Sequence, residues 1–268
     1  MPTVLLTIAY EGTNYSGWQI QPNGLAVQKV VEDALEKLLN ERVQVRSSGR
    51  TDAGVHARAM PASFATSRNL PLQAFVEGTN RFLPAEIAIQ SARIVPDGFK
   101  PITMAYSKKY RYIIINSSVR SPLDRLYSWQ VREPLDLDSM EEAAGRFVGV
   151  HNFAAFRASN CAAKTSIRRI DSVQITRQGS RITVDVIGGG FLKNMVRVMV
   201  GTLVDIGKGR FTPMDIDRLL QGGDRKEAGC TAPACGLCLM EVVYPEKFIS
   251  LPAGGQSEPM STGGTFLL

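Results

Sequence analysis

The sequence predicts an α+β fold of two ferredoxin-like halves, whose antiparallel sheets join around a central active-site cleft. The first observation is the order of apolar patterns over about the first hundred residues, which is β-α-β-β-α-β and is typical of the ferredoxin-like unit. The second is a further alternation of strands and helices after a turn sequence at 96–98. We therefore expect a half at 1–104 that carries the active-site loop, an α/β half at 105–248 and a disordered tail at 249–268.

Composition limits the class of protein. At 268 residues, with 44% hydrophobic and 21% charged residues, the chain resembles globular proteins. Its net charge of +6 favours an acidic partner such as nucleic acid. The four cysteines, all after residue 160, do not form a disulfide framework in a chain of this size. Without a signal-peptide pattern or an apolar run of bilayer length, we expect a cytoplasmic protein that does not bind membranes.

The elements of the first half follow from runs of alternating or helically spaced apolar residues. Apolar side chains from Val27 to Leu39 recur at helical spacing. Pro71 is acceptable in the first turn of a helix. In chain order we expect a strand at 3–10, a helix at 27–39, strands at 42–48 and 59–65, a helix at 71–82 and a strand at 86–95.

The second half is predicted in the same way. The sequence Asp136-Leu137-Asp138 starts a helix that runs to about Val148. In chain order we expect strands at 105–116 and 127–132, a helix at 136–148, strands at 170–176 and 182–187, helices at 191–206 and 214–220, and a strand at 237–244.

The segment with the strongest chemical pattern is the loop that follows the strand at 42–48. It places Asp52 two residues after Arg50 and two residues before Gly54. Side chains two apart can share a face, and a nearby cation favours the ionised carboxylate. An ionised aspartate in open space can act as a nucleophile or a base. The alternative is a structural turn in which Asp52 bonds its own backbone.

The loop and five other segments resemble, in order, the motifs of the TruA family of tRNA pseudouridine synthases. The resemblance covers about residues 3 to 245. The matching segments are Gly49-Arg50-Thr51-Asp52-Ala53-Gly54-Val55-His56-Ala57, Tyr10-Glu11-Gly12-Thr13-Asn14-Tyr15-Ser16-Gly17-Trp18-Gln19, Lys108-Lys109-Tyr110-Arg111-Tyr112, His151-Asn152-Phe153-Ala154-Ala155-Phe156, Asn194-Met195-Val196-Arg197 and Gly236-Leu237-Cys238-Leu239.

The resemblance implies an isomerase that converts uridine to pseudouridine in the anticodon stem-loop of tRNA, with Asp52 as its catalytic nucleophile. The carboxylate could attack ribose C1′ or the base, or remove a ribose proton, and the sequence leaves these routes open. The family uses no cofactor, which agrees with the absence of a P-loop or dinucleotide motif here. The resemblance further implies a homodimer. A catalytically silent tRNA-binding protein on the same scaffold is the alternative.

Two further catalytic residues follow from the resemblance. Tyr110 would lie against the target base, where its ring can stack and its phenol can exchange a proton. Tyr112 shares its face by alternation, so that one of the two tyrosines can be a core residue. Arg197 interrupts an apolar helix and would pair with Asp52 to hold it ionised. The alternative for Arg197 is a surface position.

Polar groups around the loop complete the predicted site. Arg50, Thr51, His56 and Arg58, together with Tyr110, are the candidate substrate-binding residues. A wider set of basic residues would line an RNA-binding surface through salt-sensitive phosphate contacts. These are Arg42, Arg46, Arg58, Arg68, Lys108, Lys109, Arg111, Arg168, Arg169, Lys193, Lys208 and Arg210.

Two other patterns could indicate a binding site, but in each case a purely structural role explains the pattern better. The run 188–190 is all glycine but lacks phosphate-loop spacing, so a tight turn is expected. Cys230, Cys235 and Cys238 have no sequence-adjacent fourth ligand, so we expect structural thiols, with a bound metal as the alternative.

The chain departs from the TruA pattern at two positions. Ile102 stands where the family commonly has arginine, and Val198 where it has asparagine. Both positions are expected near the site or the RNA.

Overall fold

The computed structural model describes residues 2–249, which form ten strands and five α-helices, so most of the predicted tail lies outside the described residues. The strands are β1 (Thr3–Tyr10), β2 (Arg46–Ser47), β3 (His56–Ala65), β4 (Ile87–Val95), β5 (Ser107–Asn116), β6 (Trp129–Val131), β7 (Gly149–Asn152), β8 (Ile167–Gln178), β9 (Arg181–Gly188) and β10 (Leu237–Val243). The helices are α1 (Val27–Leu39), α2 (Leu137–Arg146), α3 (Met195–Gly207), α4 (Asp215–Leu220) and α5 (Glu246–Ile249).

Both halves of the sheet have the strand order of a ferredoxin-like unit. In the first half β4, β1 and β3 are neighbours, and β2 pairs with β3. In the second half the order is β10-β5-β9-β8, with β7 added beyond β8 and β6 beside β5. Each half therefore places its fourth strand beside its first and its second beside its third. The predicted fold class is confirmed, including the similarity between halves that the sequence itself does not display.

The two half-sheets join into one ten-stranded sheet through a parallel pairing. At this joint Cys238 and Leu239 of β10 pair with His56 and Ala57 of β3. On its other side β10 pairs antiparallel with β5, where Leu239 lies opposite Tyr110. The joint therefore places the start of β3, where the Asp52 loop ends, one strand away from β5, which carries Tyr110.

The helices bury apolar faces against this sheet. α1 has the predicted bounds, and its C-cap is Asn40, whose φ of 50° is left-handed. α2 begins after Asp136, whose side chain accepts hydrogen bonds from the backbone N–H groups of Asp138 and Ser139, as expected of a cap. α3 lies almost entirely in the core. None of the helices in residues 2–249 is long and apolar enough to cross a membrane.

Several boundaries differ from the sequence prediction. α3 begins at Met195 rather than near Phe191, because Asn194 has a left-handed φ of 62° that cannot continue a helix. The strand expected at 42–48 shortens to β2, and the helix expected at 71–82 contains a π-helical turn at Ala74–Gly78. β7 was not predicted, because its four residues are too short to display a period.

Candidate active site

The Asp52 loop is fixed by the segment that follows β1. The backbone N–H of Trp18 donates to the carbonyl of Thr51 at 3.2 Å, and that of Gly54 donates to Tyr15 at 3.3 Å. Two glycines permit this close approach. A Cβ at Gly12 would lie 2.1 Å from the carbonyl oxygen of Val55, and one at Gly17, whose φ is +103°, would lie 2.5 Å from that of Thr51.

Thr51 and His56 flank Asp52 as buried anchors of the loop. The Thr51 hydroxyl shares a 2.8 Å hydrogen bond with the buried Tyr10 hydroxyl. The His56 Nδ1 accepts from the backbone N–H of Gly12 at 3.0 Å, so Nε2 is the nitrogen that donates, to the carbonyls of Leu126 at 2.9 Å and Cys235 at 3.1 Å. Because these polar atoms are already bonded, their placement argues against the substrate-binding roles expected of Thr51 and His56. Both residues hold the loop in place.

Asp52 lies at the edge of this packed region, with its side chain 25% exposed. Burial raises the pKa of Asp52 above its usual range. Arg197, Lys193 and the backbone amide of Asn194 act in the opposite direction and favour the charged form. The carboxylate is therefore partly desolvated beside cations at the start of α3, a setting that suits a nucleophile or a base.

Arg197 is the cation that faces Asp52. Its Nη1 lies 3.9 Å from Asp52 Oδ2, and its side chain is 17% exposed. The guanidinium is held by two further bonds, from Nε to the Ala232 carbonyl at 2.7 Å and from Nη1 to Asn194 Oδ1 at 3.1 Å. The structure therefore brings Arg197 to the carboxylate as the sequence predicted, although burial outweighs its effect on the pKa of Asp52.

Arg50 and Arg58, in contrast, lie exposed on either side of the loop. Among residues 2–249 neither forms an ion pair with a carboxylate. The expectation that Arg50 shares a face with Asp52 assumed an extended backbone, whereas this segment lies between β2 and β3 and is not part of a strand. Both arginines are available to contact a ligand.

The structure separates the two tyrosines of β5. Tyr112 is fully buried, and its hydroxyl donates to the Pro233 carbonyl at 2.7 Å. Tyr110 is 8% exposed and packs edge-on against Phe191, with ring centroids 5.1 Å apart. Burial, and next the charge of Asp52, raise the pKa of the Tyr110 phenol above its usual range. Tyr110 is thus the tyrosine near the carboxylate, and Tyr112 is the core residue.

The basic residues divide into paired and unpaired groups. Lys109 and Arg111 share Asp185, Lys208 pairs with Glu133, and Arg210 pairs with Asp205. Arg42 and Arg169 also have carboxylate partners. Within residues 2–249 the members of the predicted surface without such a partner are Arg46, Arg58, Arg68, Lys108, Arg168 and Lys193.

For three residues of the site the sequence predicted no individual role, only that each belongs to a motif or to the basic surface. Lys193 and Asn194 stabilise the charged form of Asp52, and Asn194 also binds Arg197. Lys108 Nζ donates to the Ser48 carbonyl at 2.7 Å, so it contacts the residue at the entry of the loop. The sequence feature that could have identified Asn194 as a site residue was its position in the motif that ends at Arg197.

The remaining patterns lie away from the carboxylate. Gly188 allows β9 to approach β8, since a Cβ there would lie 2.6 Å from the Arg169 carbonyl oxygen. Cys230 is exposed, Cys235 Sγ lies 3.3 Å from the Ser128 carbonyl, and burial raises the pKa of Cys238 to about 11. Within residues 2–249 no group of three His, Cys, Asp or Glu side chains is arranged to hold a metal ion.

The two departures from the TruA pattern occupy different environments. Ile102 is 58% exposed, so an RNA could reach it. Val198 is fully buried within α3, where its valine contributes to the core. The expectation that position 198 contacts the site or the RNA is therefore not supported by its burial.

Comparisons with known proteins agree with this geometry. The sequence profile of a tRNA pseudouridine synthase family matches residues 6–101 and 143–245. The chain is 68% identical over 244 residues to tRNA pseudouridine synthase A of Pelobacter propionicus, covering 91% of this chain and 100% of that protein. It is 53% identical to the protein of the same name from Geobacter sulfurreducens, with the same coverage of both chains. With that of Myxococcus xanthus the identity is 45%, over 96% of this chain and 98% of the other.

Proposed function

The chain belongs to the tRNA pseudouridine synthase family, and we propose that it isomerises uridines in the anticodon stem-loop of tRNA with Asp52 as the nucleophile. The activity itself, conversion of tRNA uridine to pseudouridine, is that of the family. The observation that supports the role of Asp52 is its position, partly desolvated and 3.9 Å from Arg197 at the joint between the two halves.

The reaction breaks the bond from ribose to uracil N1, turns the base and joins ribose to C5. Asp52 supplies a carboxylate that can form a transient bond at ribose C1′ or at the base, or remove a ribose proton. It must be ionised to do so. Arg197 and Lys193 keep the charged form accessible although burial opposes it. No outside redox equivalent or phosphate energy is required, because the product is an isomer of the substrate.

Tyr110 provides the surface against which the target base rests. Its ring is fixed by Phe191 and stays close enough to Asp52 for the carboxylate to affect its pKa. Because the phenol keeps its proton, it can donate a hydrogen bond to the base or, during proton transfer, return a proton to it. To reach this position the uridine leaves its stack, and the exposed Arg50 and Arg58 contact the flanking phosphates.

The tRNA would be held by the unpaired cations around the loop. We propose that the residues at 1–104 and 105–248 act as two halves that share the cleft, and that the protein works as a homodimer in the cytoplasm. Sedimentation or light scattering of the purified protein tests the dimer, since a mass of one chain at assay concentration would contradict it.

The position of the target is tested with tRNA carrying tritium at uracil C5, because replacing that hydrogen by the ribose bond releases tritium. One substrate keeps all its uridines, and a matched substrate has cytidine at every uridine of the anticodon stem-loop. We expect release from the first and none from the second. Equal release from both would contradict the anticodon stem-loop as the target. No release from either, with binding retained, would favour a silent RNA-binding protein.

A further inference from the structure

Lys108 is a half-buried cation that the reaction scheme does not use. It lies on β5 two residues before Tyr110, so alternation places the two side chains on the same face of the strand. Its neighbour Lys109 points to the other face and pairs with Asp185 at 2.9 Å. The two adjacent lysines therefore have different surroundings, and only Lys108 turns towards the Asp52 loop.

The contact of Lys108 is with the first residue that enters this loop. Its Nζ donates to the Ser48 carbonyl at 2.7 Å. Ser48 is fully buried, and its N–H donates to the Pro61 carbonyl at 2.9 Å. Among residues 2–249 no other donor reaches the Ser48 carbonyl, so loss of Lys108 would leave a buried acceptor without a partner.

Gly49, the residue after Ser48, lies close to the Lys108 side chain. A Cβ at Gly49 would lie 3.0 Å from Lys108 Nζ, so that a side chain at this position would crowd the ammonium. Ser47 fixes the same turn by donating from Oγ to the Gly49 carbonyl at 2.6 Å. From Ser48 only four residues lead to Asp52, and a shift at the entry of the loop is therefore transmitted to the carboxylate.

Among residues 2–249 no carboxylate forms an ion pair with Lys108. On the strands beside it, β9 places Gly188 and β10 places Val242 opposite it, and neither carries a charge. The titratable groups near this contact are Tyr110, two residues further along the same strand, and Tyr244, whose hydroxyl faces Ser48. Burial therefore lowers the pKa of Lys108 to about 8, with no ion pair to oppose it.

We propose that Lys108 is a positioning residue that fixes the entry of the Asp52 loop through the Ser48 carbonyl, and that loss of its proton weakens this anchor at alkaline pH. The proposal rests on the proposed function of Asp52. It concerns a contact across the two halves, since Lys108 belongs to 105–248 and Ser48 to 1–104. A neutral amine donates a weaker hydrogen bond than an ammonium, so the loop loosens as pH rises.

Three variants test this proposal. Lys108→Arg keeps a cation that does not titrate, Lys108→Met keeps the aliphatic stem without the charge, and Lys29→Met is a control on the exposed face of α1. Wild-type kcat for tritium release should fall as pH rises through about 8. Lys108→Arg should lose that fall, and Lys108→Met should lower kcat at pH 7 by about tenfold with KM little changed, as expected of a misplaced reacting group.

Since every variant acts on the same tRNA, titration of the substrate contributes equally to all of them. An alkaline fall retained by Lys108→Arg, or a wild-type kcat in Lys108→Met, would overturn the proposal. A raised KM with unchanged kcat and a weaker salt dependence would instead make Lys108 a phosphate contact, and would also overturn it.

Hydrogen exchange provides a measurement that does not depend on catalysis. The amides of residues 49–55 should exchange faster in Lys108→Met than in wild type at pH 7, and Lys108→Arg should retain the protection. Unchanged exchange in Lys108→Met would reject the anchor even if the protein released no tritium. Failure of the proposed function would appear separately, as a wild-type protein that binds tRNA without releasing tritium.

Discussion

At the scale of single residues, the site depends on a carboxylate in an environment that opposes its charge. Asp52 is partly buried, and the cations that act on it come from one short segment before and within α3. Arg197 is the one whose guanidinium faces the carboxylate, at 3.9 Å. Lys193 is exposed and contributes less, and the peptide N–H of Asn194 adds a fixed dipole. Among the groups that favour the ionised form of Asp52, Arg197 therefore has the largest effect, although burial outweighs it.

This balance predicts how activity depends on pH. The pKa of Asp52 is raised, so its ionised fraction, and with it kcat/KM, falls as pH decreases through a value above the usual aspartate range. Arg197→Met removes the largest effect that lowers this pKa and should move the acid limb of the profile to higher pH. Arg197→Lys should move it less. The pH profile of tritium release measures both shifts.

The control for this experiment is Arg210→Met, which removes an arginine paired with Asp205 beyond the other end of α3. Its acid limb should match that of wild type. If Arg197→Met also had the wild-type limb, Arg197 would not govern the ionisation of Asp52.

The raised pKa of Asp52 also predicts how the stability of the fold depends on pH. Because the folded-state pKa of Asp52 is raised, the protonated form stabilises the fold at low pH, and this contribution is lost as pH rises through the raised pKa. Asp52→Asn should therefore have a higher Tm than wild type at pH 7, and the difference should shrink towards acid pH. A gain of ~1 kcal/mol corresponds to about 2–4 °C in Tm. A lower Tm for Asp52→Asn at pH 7 would show that burial does not dominate.

At the scale of elements, the loop owes its shape to its contacts with the segment after β1. Gly12 and Gly17 are required there because the loop backbone approaches them more closely than a side chain allows. These residues belong to a sequence motif that supports the loop through backbone contacts. The same explanation applies to His56, whose ring nitrogens bond the backbone on both sides of the joint.

A substitution at Gly12 tests this support. A Cβ would lie 2.1 Å from the Val55 carbonyl oxygen, so Gly12→Ala must displace the loop and should lower kcat by tenfold to about 100-fold. Gly145→Ala in α2 is the matched control, because its Cβ would meet nothing within 4 Å. Alanine there should raise the free energy of unfolding by up to about 1 kcal/mol and leave kcat unchanged. Full activity of Gly12→Ala would contradict the proposed support.

Helices and strands that are indicated by the pattern of their own residues were predictable. Features that depend on contacts between segments far apart in the sequence were not. The bounds of α1 were predicted correctly because the signals for them lie within the helix and at its end. These signals are the helical spacing of its apolar residues and the asparagine at position 40. The start of α3 was predicted too early, because nothing in the sequence displays the left-handed backbone of Asn194. The parallel joint of β3 and β10 could not be foreseen, since it pairs residues more than 180 positions apart.

The candidate site was predictable only in part, because some of its contacts join residues that are far apart in the sequence. Asp52, Tyr110 and Arg197 were identified from motifs, and the fold brings them together as expected. Arg50 forms no ion pair with Asp52 and is not among the groups that change its pKa. Lys108 is predicted from the sequence to lie on the RNA-binding surface, whereas its contact with Ser48 depends on how the two halves meet.

At the scale of the whole molecule, charge is distributed in a way that suits tRNA. The chain carries a net charge of +6, and several of its basic residues are already neutralised by carboxylates. Arg46, Arg50, Arg58 and Lys193 remain exposed in or near the loop and lack such a partner within residues 2–249. We infer that affinity for tRNA arises mainly from this smaller group.

Salt titration of tRNA binding tests that inference. The logarithm of the association constant should fall linearly with the logarithm of salt concentration. Arg58→Ala should weaken binding and reduce the slope by about one, as expected for the loss of a phosphate contact. Lys208→Ala, which removes a lysine paired with Glu133, should leave the slope unchanged. Equal effects of the two substitutions would mean that net charge, and not this group of residues, determines the affinity.

The central claim, that Asp52 performs the chemistry, is tested most directly by single-turnover tritium release from C5-labelled tRNA. The comparison is between wild type, Asp52→Asn and the control Asp138→Asn, which changes an exposed aspartate of α2. We predict full release by wild type and by Asp138→Asn, and none by Asp52→Asn, with tRNA affinity retained by all three. Release by Asp52→Asn at the wild-type rate would contradict the assignment of Asp52 as the nucleophile.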